Sequence, residues 1–317
     1  MIPAAFGYSR VDSVEEALRI LGSDDSAKVI AGGMSLLPLM KLRLAQPATL
    51  VDIGRLHELR GVCAFDDGRL AVGALTTYAE LLDSPAVHYG VLRDALPRIG
   101  DVQVRNRGTV GGALAHADPA SDLPAALIAL DAELVLRSSD GERHVGADGF
   151  FEGPFATGLR HGELLTQVVL PAPRGDAGSA YVSLEQPASG YAMVGVAAVV
   201  IVGAGGMIEH AGIGVTGVSD HPYRAAEVES ALVGTTGSPE AVAAAAALVV
   251  GDRRVNADIH AGRLPGGDGR GDRPARRRGR AGPTRLIRHP PQPGRGWCGS
   301  SRSSRVAARR ANSLVPS

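Results

Sequence analysis

Cysteine is almost absent from this chain of 317 residues. Its two cysteines, Cys63 and Cys298, cannot form a CxxC pair, so counting alone excludes an intrinsic iron–sulfur cluster or thiolate zinc site. No metal ligands are expected, and redox chemistry would need a bound organic cofactor. Long apolar runs are missing too: none reaches the roughly 18–20 residues that span a bilayer. The opening MIPAAFGYSRVDS lacks the basic-then-apolar layout of a secretory signal, which makes a cytoplasmic protein the expectation. There is no GxGxxG after the first strand and no GxxxxGK[ST] anywhere. Those gaps argue against a doubly wound nicotinamide domain and a nucleoside-triphosphate loop.

What is present suits a globular protein of two or three domains, with 44% hydrophobic residues to fill its cores. The formal net charge of zero hides an asymmetry. Residues 262–317 hold 14 Arg and 2 acidic residues, so of the chain's 33 basic and 33 acidic side chains the first 261 residues keep 19 and 31. In that tail Gly, Arg and Pro replace every periodic pattern, and too few large apolar groups remain to offset ordering entropy, so disorder is expected from 262 on. RPARRRGR could contact phosphates, but no aromatic residues interleave with it. A solvated tail is the preferred reading, and no nucleic-acid partner is expected. So abrupt a change of composition is also what a shifted reading frame in a GC-rich gene would produce.

Along the body, Val14, Ala17, Leu18 and Leu21 recur at helical spacing, with Asp12 or Ser13 to cap the start and Gly22 the end. KVI and TLVDI read as strands, with Asp52 in a turn, and GRLAVG as a strand leading to a Thr-capped helix that contains Tyr78. LPAALIAL reads as a helix and GELLTQVVLP as a strand. From 179 the character changes to long strands, expected to form an antiparallel sheet packed on one face and covered by AAEVESALVG and PEAVAAAAALVVG. The expected fold class is therefore α+β, with a domain boundary near residue 176.

Two glycine-rich turns stand out. AGGMS (Ala31, Gly32, Gly33, Met34, Ser35) follows an apolar run and precedes a helix. TVGG (Thr109, Val110, Gly111, Gly112) leads through small residues, Ala113 among them, to His116, Asp118 and Asp122. Without Cβ atoms, backbone N–H groups can converge on an anion, and two such loops can hold a pyrophosphate between them. The AGGMS turn also has a structural explanation, a glycine at positive φ between strand and helix. Asp118 could simply cap the next turn, and His116 could be a polar residue without a ligand.

AGGMSLLPLMKLRLA, VRNRGTVGGALAHADPASDLPA, GELLTQVVLP and PASGYAMVGVAA together resemble the FAD-binding medium subunit of molybdenum hydroxylases, the group containing aerobic carbon monoxide dehydrogenase and xanthine dehydrogenase. The resemblance spans about residues 1–260 in consistent order. It implies a two-part FAD-binding domain of the vanillyl-alcohol-oxidase type over 1–176, with subdomains 1–55 and 56–176. A C-terminal sheet-and-helix domain over 177–261 would follow, then the tail 262–317. It also implies an oxidoreductase subunit that passes electrons through FAD to quinone, NAD or oxygen. Its partners would be an iron–sulfur small subunit and a molybdopterin large subunit, in a heterotrimer that can pair into a dimer.

On the same resemblance Ala31 to Ser35 donate amides to the pyrophosphate, Leu36 lines the ring, Thr109 to Ala113 form the second loop, and Asp122 holds polar atoms of the cofactor. Ile99 and Leu165 match apolar positions near the flavin and Tyr191 an aromatic position at its face, although ordinary core packing would explain all three. No residue is expected to be catalytic in the proton-transfer sense. Three departures from the family pattern stand out: Ala113 where many relatives have Asn, Ser183 where a lysine is common, and the tail in place of a final helix. A scaffold that has lost FAD and a stand-alone FAD oxidase are the alternatives.

Overall fold

The computed structural model describes residues 1–256. Chain order begins with β1 (Gly7–Arg10), α1 (Val14–Ser23), β2 (Ala27–Ile30), α2 (Leu36–Lys41) and β3 (Thr49–Asp52). The strands form a parallel sheet in the order β1-β3-β2, so each connection is a crossover carrying a helix. Ser13 caps α1, its Oγ accepting the Glu16 N–H at 3.1 Å. The C-cap is Asp24, two residues beyond the expected Gly22, which lies inside the helix. Val14, Ala17, Leu18 and Leu21 are all buried, packing with Val51 and Ile53 into a core that Leu75 and Leu164 of the next segment join. Asp52 closes its turn by accepting the Gly54 N–H at 2.8 Å.

The next segment holds β4 (Val62–Ala64), β5 (Leu70–Gly73), α3 (Tyr78–Leu82), α4 (Gly90–Ala95), α5 (Val102–Arg105), α6 (Val110–His116) and α7 (Asp122–Ala129). After them come β6 (Glu133–Ser138), β7 (Gly141–Gly146), β8 (Phe151–Gly153), β9 (Ala156–Thr157) and β10 (Leu164–Leu170). A five-stranded antiparallel sheet runs β4-β5-β10-β6-β7, with β8 and β9 paired separately. Thr77 and Glu80 make a reciprocal capping box at the start of α3. All eight residues of α7 are buried.

Four strands close the described chain, β11 (Ala177–Glu185), β12 (Ala192–Val202), β13 (Ile208–Thr216) and β14 (Tyr223–Arg224), followed by α8 (Ala226–Leu232) and α9 (Pro239–Ala246). They form an antiparallel sheet in sequence order. The expectation of packing on one face needs correction, because this sheet is covered on both. Val196, Ala198, Ile213 and Val215 pack with Val228 and Leu232 of α8. On the other face Tyr181, Ala197 and Val199 join Leu92 of α4 and Leu127 of α7 in the main core. α7 reaches β13 so closely because that strand offers glycine: a Cβ on Gly214 would stand 2.0 Å from the Ala125 carbonyl oxygen, and one on Gly212 2.2 Å from that of Ala129. The main core therefore runs across the segment boundary near residue 176. The disorder expected for 262–317 lies outside the described residues.

Candidate cofactor site

The AGGMS turn is built by β2 feeding into α2. Gly33 has φ +74°, the left-handed region open to glycine, and its carbonyl accepts the Leu37 N–H at 3.1 Å, starting the helix. Gly32 lies flush against the second turn: a Cβ there would stand 1.9 Å from the Arg107 carbonyl oxygen and 3.2 Å from Gly108 Cα. The first glycine turn therefore meets the backbone at Arg107–Gly108, immediately ahead of the second. Among the described residues, the N–H groups of Gly32 to Leu36 have no backbone or side-chain acceptor. Met34 and Ser35 are exposed, and Ala31, Gly32, Gly33 and Leu36 are half-buried.

The TVGG turn is different. Val110 N–H donates to Thr76 O at 2.9 Å, Gly111 N–H to Ala74 O at 2.8 Å, and Ala113 N–H to Thr109 O at 3.0 Å. Gly112 N–H donates to Thr109 Oγ1 at 3.2 Å, the N-cap of α6. The amides of Val110 to Ala113 thus have acceptors inside the protein, whereas those of Gly32 to Leu36 have none among the described residues. What TVGG supplies is a fixed wall. Its anchor is the segment Ala74–Tyr78, which sequence reasoning took only as a helix start. Tyr78 N–H also donates to Gly108 O at 3.2 Å, and a Cβ on Gly111 would stand 2.5 Å from Ala74 Cβ. The TYAE capping pattern was a local signal for α3, but nothing local announces its pairing with Thr109.

Beyond α6, the chain turns at Ala117, a non-glycine residue at φ +50°, into the acidic loop. Asp118 Oδ1 accepts the Ala120 N–H at 2.9 Å, so the turn-capping alternative describes this carboxylate. His116 ends α6 with its ring 5.1 Å from that of Phe155. Burial lowers its pKa, Asp118 opposes the shift, and Lys28 adds to it. Thr216 Oγ1, at the end of β13, lies 2.7 Å from Pro119 O and 2.9 Å from Ser121 O, fixing the loop from the C-terminal sheet.

Asp122 is buried at the start of α7, and the Tyr181 hydroxyl donates to its Oδ1 at 2.5 Å. Burial raises the Asp122 pKa, and the Tyr181 hydrogen bond pulls it back. Burial also raises the pKa of Tyr78 and of Tyr191. For Tyr78 the Asp122 and Tyr191 charges add to the rise, and for Tyr191 those of Asp118 and Asp122 do. These four side chains thus share one neighbourhood, with Tyr191 exposed and Tyr78 buried. Ile99 is half-buried at the edge of the main core, and Leu165 lies within it beside the strand partner Leu136. Ser183 is not left without a cation: Arg98 Nη1 reaches its Oγ at 3.4 Å and Glu185 Oε1 at 2.8 Å.

A dinucleotide fits this arrangement. Unpaired amides line one turn, glycines admit the other against it where any Cβ would collide, and a buried carboxylate and two tyrosines stand nearby. Among the described residues no group of three His, Cys, Asp or Glu could hold a metal, and no helix is long and apolar enough to cross a membrane.

The site and fold define a flavin-binding subunit class. Residues 4–173 match the family described as FAD binding domain in molybdopterin dehydrogenase, and residues 179–263 the CO dehydrogenase flavoprotein C-terminal domain. The chain belongs to this family of FAD-binding medium subunits of molybdenum hydroxylase-type oxidoreductases. It is 42% identical over 249 residues to the carbon monoxide dehydrogenase medium chain of Hydrogenophaga pseudoflava, covering 78% of this chain and 86% of that one. With the glyceraldehyde dehydrogenase medium chain of Sulfolobus acidocaldarius it shares 42% identity over 236 residues, 74% of this chain and 83% of the other. The solved structure of the Hydrogenophaga pseudoflava carbon monoxide dehydrogenase that lacks the Mo-pyranopterin moiety superposes with a TM-score of 0.78 at 41% identity, covering 82% of this chain and 91% of that one. Quinoline 2-oxidoreductase of Pseudomonas putida 86 superposes with a TM-score of 0.76 at 34% identity, covering 83% and 92%.

Proposed function

We propose that this subunit receives electrons from the iron–sulfur small subunit of a heterotrimer whose molybdopterin large subunit oxidises the substrate, and passes them to quinone, NAD or oxygen. FAD supplies the redox chemistry when bound. The observation that carries the reading is the backbone contact between Gly32 and Arg107–Gly108, with the unpaired amides of 32–36 beside it. In this reading Gly32 to Leu36 donate to the pyrophosphate and Thr109 to Ala113 bound the slot by shape. Asp122 accepts from polar cofactor atoms, while Tyr191, Ile99 and Leu165 flank the ring system. Ala31, His116 and Asp118 shape the rim. Arg98 carries the positive charge that the resemblance places at position 183.

Residues 1–176 form the cofactor-binding region, of the vanillyl-alcohol-oxidase type with parts 1–55 and 56–176, and 177–261 forms the C-terminal domain. A cytoplasmic location suits such a complex. The relatives' names span glyceraldehyde, carbon monoxide and quinoline, consistent with a substrate site on another subunit.

The test is Gly32→Ala. The added Cβ would collide with the Arg107 carbonyl and force the turns apart. Purified full-length protein mixed with FAD should show flavin absorbance bands after desalting, and the variant should lose at least about tenfold in affinity while keeping its circular dichroism. Equal retention by both proteins would refute the site, and absence of bands in the unaltered protein would favour the FAD-less scaffold.

A further inference from the structure

We infer that Tyr181 is a positioning residue of the cofactor site: from the C-terminal sheet it holds the Asp122 carboxylate ionised and oriented. The inference rests on the cofactor reading above and assigns a role to a residue outside the two glycine turns and the acidic loop.

Tyr181 and Asp122 are both buried, 2% and 7% exposed, and they meet at 2.5 Å where the Tyr181 side chain reaches from β11 past Gly195 of β12 to the start of α7. A buried carboxylate without water needs donors to remain charged, and the Tyr181 hydroxyl is the one side-chain donor to Asp122 among the described residues. The sheet is shaped to admit it: a Cβ on Gly195 would stand 2.0 Å from the Tyr181 hydroxyl oxygen. Gly195 on β12 pairs in register with Ser183, two residues beyond Tyr181, so a tyrosine and a cross-strand glycine together make room for one hydroxyl. Thr216 fixes the backbone leading into α7 at Pro119 and Ser121. The C-terminal sheet thus holds both the loop and the carboxylate that follows it.

Other charged groups bear on the pair. Arg98 favours the ionised carboxylate and Glu185 opposes it, and these two bind each other at 2.8 Å. Their opposed effects leave the Tyr181 hydroxyl as the leading stabiliser of the anion. Removing it raises the carboxyl pKa further, so a proton displaces the accepting charge at a less acid pH.

The experiment measures FAD affinity by fluorescence quenching from about pH 5 to pH 8 in four full-length proteins: unaltered, Tyr181→Phe, Asp122→Asn, and the double variant. Tyr181→Phe should weaken binding by about tenfold near neutrality, the scale of one hydrogen bond to a charged group. It should also move the acid midpoint of binding upward by about one pH unit. In the Asp122→Asn background, where nothing titrates, the same change should shift no midpoint and add little loss. An unmoved midpoint, or an equal loss in both backgrounds, would overturn the inference, as would a lower melting temperature with unchanged affinity. Failure of the unaltered protein to bind FAD would overturn the cofactor reading itself, before any variant is compared. Should Tyr181→Phe not fold, Gly195→Ala displaces the hydroxyl instead and must give the same midpoint shift.

Discussion

In the proposed site Asp122 answers two opposed demands, one from folding and one from binding. Burial raises its pKa above the ordinary 3.8, so its folded value lies above its unfolded one. A carboxyl of that kind contributes fully below the unfolded pKa, and its contribution is lost as pH rises through the folded value. At pH 7 the ionised side chain therefore costs stability in the protein without cofactor. Asp122→Asn should raise the melting temperature of FAD-free protein at pH 7, since the amide carries no charge to desolvate. The gap should close as the pH approaches 3.8, while FAD affinity falls. Scanning calorimetry at both ends of that range checks the sign, and a variant less stable at pH 7 would contradict it. A destabilising carboxylate held in place is what a binding site retains and a merely structural helix start would lose.

At the scale of elements, α7 is the piece on which site and fold both depend. It begins at Asp122, lies wholly buried, and touches β13 through Gly212 and Gly214. Gly214→Ala would place a methyl group 2.0 Å from the Ala125 carbonyl oxygen and push helix and sheet apart. Urea unfolding should show a loss of about 1–3 kcal/mol, with weaker FAD binding because α7 carries Asp122 with it. Unchanged affinity in a destabilised variant would show that helix position does not govern the site. Much at this scale was legible in the sequence: the helical spacing of α1, the Thr77 cap of α3 and the strands β10 to β13 are local patterns. The second covered face of the C-terminal sheet was not, because small and apolar residues alternate on both sides of β12. Which side meets a helix is decided by α4 and α7, far away in sequence. The same distance hid the anchoring of TVGG by Ala74–Tyr78, and with it the contrast between the bonded amides of Val110 to Ala113 and the unpaired ones of Gly32 to Leu36.

At the scale of the molecule, the candidate site draws on three segments of the chain. AGGMS follows the small parallel sheet, whose cluster around Val14 and Val51 also takes in Leu75 and Leu164 of the next segment. TVGG and Asp122 belong to the main core. Tyr191 precedes β12 in the sheet whose outer face, with α8, forms the third cluster. A ligand touching all three adds contacts that no single core provides, so binding should stabilise the described region as one unit. A ligand that binds only the folded state contributes RT ln(1 + [L]/Kd), about 2.7 kcal/mol at a hundredfold excess over Kd. The melting temperature should then rise by about 5–10 °C when FAD is added at that excess. One sharper transition should replace any broadened one, because the small parallel domain loses its freedom to open alone. Hydrogen exchange should show the gain concentrated in Gly32–Leu36, whose amides have no acceptor of their own among the described residues. Protection confined to the main core, with the 32–36 amides exchanging as before, would place the ligand elsewhere.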